Sequence, residues 1–319
     1  MKNASFQTLL DDLKISIRFA WKNVISYVLA IFGVFIATFI LIAIVAAFIF
    51  VPIFLSPGGI EAFTIWAEAF NTWDTASGLT IATGIFLMAL PFVAPFFVAT
   101  GALFGMSREI VESEGTSVEG VFTWYRKKFF SLAGGGIMVF LFILGPVMLV
   151  ILAGVAIFGD QILNLAFIGG GSTASMNPLL AALGVIWFTL SSGLMTMLFP
   201  AIIDGYSVVE ATKRSVSMGI KYFDRVFGAW LSYILLILAL VAPLIFLAIQ
   251  APMFAMGALE VMIPLAVYGL AMGLFLVFVL LPALSIGLTR VYMILSADDE
   301  DLISVEDEED SGPSFIGGL

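Results

Sequence analysis

All thirteen Lys and Arg residues lie on one side of six long apolar runs, which confines the chain to a single kind of membrane topology. The runs are Val24–Leu55, Gly78–Met106, Ser131–Gly159, Pro178–Ile203, Val226–Met256 and Val261–Leu288. Each exceeds the roughly 20 residues that carry a helix across a bilayer core. Lys2, Lys14, Arg18 and Lys22 precede the first run, and Arg108, Arg126, Lys127 and Lys128 lie between the second and third. Lys213, Arg214, Lys221 and Arg225 separate the fourth from the fifth, and Arg290 follows the sixth. The alternate loops, 56–77, 160–177 and 257–260, hold no basic residue. The positive-inside rule then predicts a multi-pass protein of the cell membrane with both termini cytoplasmic.

Composition agrees with a bilayer as the main solvent. With 61% apolar and 11% charged residues among 319, too little polar surface remains to cover a water-soluble globule. The net charge of −10 is concentrated in the tail, where Asp298, Asp299, Glu300, Asp301, Glu306, Asp307, Glu308, Glu309 and Asp310 cluster. The absence of Cys and His removes disulfides, thiolate nucleophiles, Cys/His zinc sites and imidazole proton shuttles. The first run is too long for a signal-peptide core, so it is expected to stay in the mature protein.

The predicted fold is all-α: a polytopic bundle of six transmembrane helices in three hairpin repeats, with amphipathic in-plane elbow helices on the cytoplasmic side. Residues 1–23 form the first elbow, 24–295 the transmembrane domain, and 296–319 an acidic cytoplasmic tail too charged to fold alone. In the first elbow Phe6, Leu9, Leu13, Ile17 and Ala20 make an apolar stripe, with Asp11, Lys14, Arg18 and Lys22 opposite. Residues 206–227 repeat this, with Val209, Val216, Ile220, Phe223 and Phe227 as the apolar stripe. Val121, Phe122, Trp124 and Tyr125 precede the basic triplet Arg126–Lys128 in the middle elbow. Superposing Tyr125 on Tyr222 also aligns Lys128 with Arg225, Phe130 with Phe227 and Pro146 with Pro243, as repeated hairpins require.

On the opposite side, Phe63, Trp66, Phe70 and Trp73 recur at helical spacing, as expected of a short helix at the outer headgroup boundary. The Gly/Ser-rich loop Gly169–Ser175 is expected to be mobile. Prolines 52, 91, 95, 146, 200, 243, 264 and 282 each remove a helical hydrogen bond and are expected to bend their spans. Gly101-x-x-x-Gly105 and Gly269-x-x-x-Gly273 allow neighbouring backbones to approach closely.

No Lys, Arg, Asp or Glu lies at the centre of a run, which argues against an ion-coupled pump. Two sets of residues are candidate sites. Thr189, Ser192 and Thr196 form a polar stripe in the fourth run leading towards Asp204; it is either a lining for a solute or lipid headgroup, or a helix seam whose hydroxyls bond backbone carbonyls. Arg126, Lys127, Lys128, Lys213, Arg214, Lys221 and Arg225 are candidate contacts for anionic headgroups, each contributing about 1 kcal/mol near such a surface. Glu109, Glu112, Glu114 and Glu119 crowd the middle elbow as solvated charge. No constellation of acid, base, nucleophile or metal ligands points to an enzyme, and no cofactor is expected.

The stretch Phe199–Gly228, FPAIIDGYSVVEATKRSVSMGIKYFDRVFG, carries a proline closing one span, an apolar–Glu-Ala–x–basic–Ser elbow, then an aromatic, a basic residue and Gly opening the next span. These are Pro200, Val209, Glu210, Ala211, Lys213 or Arg214, Ser215, Phe223, Arg225 and Gly228. The segment resembles the membrane domain attached to some glycerophosphoryl diester phosphodiesterases and to related bacterial and archaeal membrane proteins. The first elbow, FAWKNVISYVL, looks like the N-terminal opening of the same group. The resemblance implies a six-span helical membrane module. It does not imply phosphodiesterase activity, because the chain has neither the soluble catalytic barrel nor a histidine. The chain is therefore expected to be a non-enzymatic scaffold or assembly partner. The alternative is a transporter or lipid-translocation protein with an uncharged path. Its partners are expected to be the lipid bilayer and a protein bound through the acidic tail, with no nucleic acid.

Overall fold

The computed structural model describes residues 5–69, 75–113, 115–158, 167–168, 175–250 and 258–310. Its elements in chain order are α1 (Phe6–Lys22), α2 (Val24–Leu55), α3 (Gly59–Ala69), α4 (Thr75–Ser113), α5 (Val118–Lys127) and α6 (Phe129–Phe158). After the two-residue antiparallel ladder of β1 (Phe167–Ile168) and β2 (Ser175–Met176) come α7 (Pro178–Met195), α8 (Leu198–Asp204), α9 (Val208–Lys221) and α10 (Phe223–Gln250). The chain ends with α11 (Ala258–Phe275), a π-helical turn (Leu276–Leu280) and α12 (Leu281–Asp310). Six helical stretches are long and apolar enough to cross a membrane: Val24–Leu55, Phe86–Ser113, Phe129–Gly154, Pro178–Asp204, Phe223–Phe246 and Ile263–Ala297.

Hydropathy locates these spans, and hydrogen bonding sets their ends. The first helix of the chain is capped by the Ser5 hydroxyl, which accepts from the Thr8 amide at 3.2 Å, and it passes through Asn23 directly into α2. The fourth span is not continuous: α7 stops at Met195 and α8 begins at Leu198, seven residues after which Gly205 ends the element with φ of +120°. Pro200, which has no N–H to give to the preceding turn, lies just past that break. The π-helical turn in the sixth span likewise ends two residues before Pro282.

Two expectations need correction. The second span continues as α4 to Ser113 rather than stopping at Met106. The acidic segment is helical to Asp310 instead of unfolded from residue 296, because extending an existing helix requires no new nucleus. The outer aromatic segment is α3, Gly59–Ala69, while Phe70 and Trp73 lie outside the described residues, as do 169–174 of the Gly/Ser loop.

The bundle is packed at one end. Spans two, four and six are the inner ones, with 33%, 22% and 33% of their most apolar stretches buried, against 11% in each of spans one, three and five. Helix α4 is central and packs on α2, α6, α8 and α12. Burial is concentrated where odd spans begin and even spans finish: Tyr27–Val34 in α2, Val98–Ile110 in α4, Met195–Ile203 across α7 and α8, and Leu280–Leu295 near the end of the sixth span. At this end, which carries the basic residues, α1 lies against α10 and α12, α5 against α2 and α4, and α9 against α6, α7 and α8. By contrast, no residue from Phe39 to Leu55, from Pro178 to Leu190, or from Ile263 to Phe278 is buried.

Helix α9 packs on the bundle by small residues and not by its apolar stripe. Ala211, Ser215, Met218 and Gly219 are buried, whereas Val209, Ile220 and Phe223 of the expected apolar stripe point outward. Small residues win the inner face because they permit close approach: the Ser215 hydroxyl donates to the Leu194 carbonyl at 2.6 Å, and Gly219 lies beside Leu194.

Candidate functional site

The polar side chains of the basic end form four ties between helices, and they are the only part of the chain where charges and hydroxyls converge among the described residues. The most buried is centred on Asp12 of α1. Its Oδ2 lies 2.5 Å from Nη2 of Arg225 in the first turn of α10, and its Oδ1 accepts from Nη1 of Arg290 in α12 at 2.9 Å. The Arg225 side chain is 2% exposed, Asp12 10% and Arg290 28%. Burial pushes the Asp12 carboxyl up from its ordinary value, against the opposing pull of Arg225 and Arg290. One turn along α1, the Ser16 hydroxyl meets the Tyr233 hydroxyl, which donates to the Ala283 carbonyl at 2.9 Å. Three segments distant in sequence, α1, α10 and α12, are held at one point.

The second tie is centred on Asp204, at the end of α8. Arg108 of α4 gives Nη1 to its Oδ1 at 2.7 Å while directing Nε to Glu112 at 2.8 Å, and the Tyr292 hydroxyl donates to the other oxygen at 3.1 Å. Beside it Arg214 of α9 donates to the Tyr206 hydroxyl at 2.6 Å and to Ser296 at 2.9 Å, with its guanidinium 4.6 Å from the centre of the Tyr206 ring. The third tie is neutral and buried: Tyr27, Ser107 and Ser285 join α2, α4 and α12 through hydroxyl contacts of 2.9 and 2.7 Å. In the fourth, Glu109 accepts from the Trp124 indole and from Thr116, both at 2.9 Å, fixing α5 to α4.

The residues expected from sequence divide between surface and interior. Arg126, Lys127, Lys213 and Lys221 are exposed and Lys128 is half-buried. One of the candidate headgroup contacts is corrected, since Arg225 is enclosed beneath α1 by Asp12; a second, Arg214, is half-buried and held by Tyr206 and Ser296. Both have carboxylate, hydroxyl or ring partners within the chain, and such contacts outcompete a solvated headgroup once the side chain is covered. In the fourth span, Ser192 donates to Phe188 O at 2.5 Å and Thr196 to Gly193 O at 2.7 Å, while Thr189 is half-buried. Asp204 lies past the break at Thr196–Met197 and joins Arg108, not the hydroxyl stripe.

Asp12 and Ser16 were missed because α1 was read by its stripes. Both fall on or beside its apolar face, and a polar residue placed there marks a buried partner. A second signal was also present: Gly105-Met-Ser-Arg108 and Gly287-Leu-Thr-Arg290 repeat one pattern at the ends of spans two and six, and each arginine grips an aspartate from elsewhere in the chain. Glu210 has a local role. It completes a capping box with Ser207, accepting from the Ser207 amide at 3.1 Å, and these hydrogen bonds hold its carboxyl below the ordinary value. The chain matches no family model, no curated protein and no solved structure.

Proposed function

We propose that this chain is a non-enzymatic multi-pass protein of the cell membrane, a scaffold or assembly partner built of three hairpins. In this reading α1, α5 and α9 lie in the cytoplasmic headgroup plane and both termini are cytoplasmic. The observation that carries it is the use of the ionised groups: Asp12, Arg225, Arg290, Asp204 and Arg108 are engaged with one another, and each such contact ties helices together. A carboxylate held between two guanidiniums maintains a shape and has little freedom to act as base or nucleophile. The Ser192 and Thr196 hydroxyls are turned back onto their own helix, which supports a seam over a solute path.

The test is native mass spectrometry of the protein purified from its own membrane in mild detergent. A stoichiometric protein partner is the expected result. A chain recovered alone that moves labelled lipid across reconstituted vesicles would replace the scaffold with a translocator. For the topology, an impermeant amine-reactive reagent applied to intact cells should leave Lys14, Lys127 and Lys213 unmodified, and labelling at those lysines would invert the assignment.

A further inference from the structure

Helices α1 and α10 leave between them, close in sequence to the Asp12–Arg225 tie, a groove of about 330 Å³. We propose that this groove is a binding site for one acyl chain of a membrane phospholipid. The inference goes beyond the scaffold reading and requires only that α10 cross the bilayer.

Three properties of the groove select hydrocarbon. Its walls are apolar: Leu9, Leu10 and Leu13 of α1 face Gly228, Leu231 and Leu235 of α10. The one hydroxyl in the lining, that of Ser232, donates to the Ala229 carbonyl at 2.7 Å and so offers a ligand no unmet donor. Gly228 supplies depth, since a Cβ there would stand 2.9 Å from a Leu9 methyl and narrow the floor. A volume of this size falls within the roughly 300–1,000 Å³ of ligand sites, and its apolar walls offer water no hydrogen-bond partner.

The side opening selects a lipid tail over other apolar ligands. Leu10, Leu231 and Leu235 are 47%, 42% and 57% exposed, so the groove is continuous with the outward flank of α10, which proceeds to Leu238. That flank belongs to a span apolar enough to face lipid, and a chain lying in the bilayer can slide in sideways without leaving hydrocarbon. The charges nearest in sequence are balanced, with exposed Lys14 beside Asp11 on α1 and exposed Lys221 and Asp224 before Gly228. Selection therefore falls on the tail and not on headgroup charge. The Asp12–Arg225–Arg290 tie completes the site by anchoring α1, the wall that an intercalating chain would push away.

The test uses the full chain in vesicles of phosphatidylethanolamine and phosphatidylglycerol containing a trace of phosphatidylcholine with a diazirine midway along one tail. After photolysis and peptide mapping, crosslinks at Leu9, Leu13 and Leu231 should exceed those at the outward Val267 and Leu270 of α11 by roughly tenfold, the ratio that about 1.4 kcal/mol of preference produces. Ser232→Trp, which fills the groove, should abolish the excess, and phosphatidylglycerol with the same tail should label as strongly as phosphatidylcholine. Even labelling of the two surfaces in the unaltered chain would overturn the proposal, whatever becomes of the variant. So would an excess that survives in folded Ser232→Trp, an excess confined to one headgroup, or equal labelling by a free fatty acid carrying the same diazirine.

Discussion

From Val98 to Ile110 the second span is buried on every turn, whereas the first span has no buried residue from Phe39 to Leu55, although the first span is the more apolar of the two. The difference follows from what drives helices together in lipid. A leucine gains little by leaving lipid tails for another leucine, so close packing depends on small residues and polar ties. The basic end has both: Gly101, Gly105, Gly136 and Gly193 each admit a neighbouring side chain, and ion pairs or hydroxyl contacts join α1, α2, α4, α8, α10 and α12. Among the described residues the other end is rich in large aliphatic and aromatic side chains with few polar contacts, such as the Trp187 indole on the Ile143 carbonyl at 2.8 Å and Tyr268 on Leu240 at 2.8 Å. One end is built to hold a shape, and the other satisfies the membrane.

The sharpest way to break this contrast is to reverse the charge at its most buried point. Asp12→Lys places a third cation beside Arg225 and Arg290, and an arginine cannot discharge itself to escape. We expect a loss of about 3–5 kcal/mol and release of α1, read as a lowered melting temperature in detergent and fast amide exchange across Phe6–Lys22. Removing the buried charges together should behave differently. Asp12→Leu with Arg225→Met leaves only the more accessible Arg290, and such replacements are neutral or stabilising by about 1–4 kcal/mol. If the double variant melts as early as Asp12→Lys, the tie is itself the source of stability and not a device for orienting helices.

The second comparison sets one glycine pair against the other. At Gly105 a Cβ would run into the Trp124 ring, and that ring is fixed by its indole hydrogen bond to Glu109. Gly105→Ala should cost about 1–3 kcal/mol through overpacking. Gly273 has nothing within 4 Å of an added Cβ, so Gly273→Ala should instead gain up to about 1 kcal/mol from helix propensity. Equal melting temperatures for the two variants would remove the distinction between the ends.

How far these features can be read in the chain depends on whether their cause is local. The positions of the spans were legible because hydropathy over some twenty residues decides them, and Val24–Leu55 agrees at both ends. The two glycine pairs could not be told apart, since spacing records an opportunity for contact and not the neighbour that takes it. Arg225 looked like one more surface cation because its partner lies in the first helix of the chain. The stripe of α9 says nothing of its packed face for a related reason: hydrophobic periodicity ranks residues by greasiness, while that face consists of small residues, leaving Val209 and Ile220 outside. Within Phe199–Gly228, several residues have structural work: Glu210 caps, Ser215 ties α9 to α7, Arg225 meets Asp12, and Gly228 underlies Leu9.

The smallest expected effect separates a covered carboxylate from a surface one by the sign of its pH dependence. Hydrogen bonds from Ser207 lower the pKa of Glu210 below its ordinary 4.5, so its contribution is present above that value and is lost as pH falls through the folded-state value. Loss of the Ser207 cap in Ser207→Ala should lower the melting temperature at neutral pH, and the gap from the unaltered chain should narrow on acidification below 4.5, without closing, because the bond from the Glu210 amide to the Ser207 hydroxyl does not titrate. Asp12 runs the other way. Its pKa is raised above 3.8, so the folded chain holds this proton more tightly than the unfolded chain does. Its contribution is fully present below 3.8 and is lost as pH rises through the folded-state value. Against the Asp12→Leu/Arg225→Met double variant, the unaltered chain should therefore gain relative stability on acidification, while against Ser207→Ala it loses part of its advantage. Melting curves of the three proteins from neutral pH to about pH 3 measure both slopes, and slopes of the same sign would mean that the two arginines outweigh burial at Asp12.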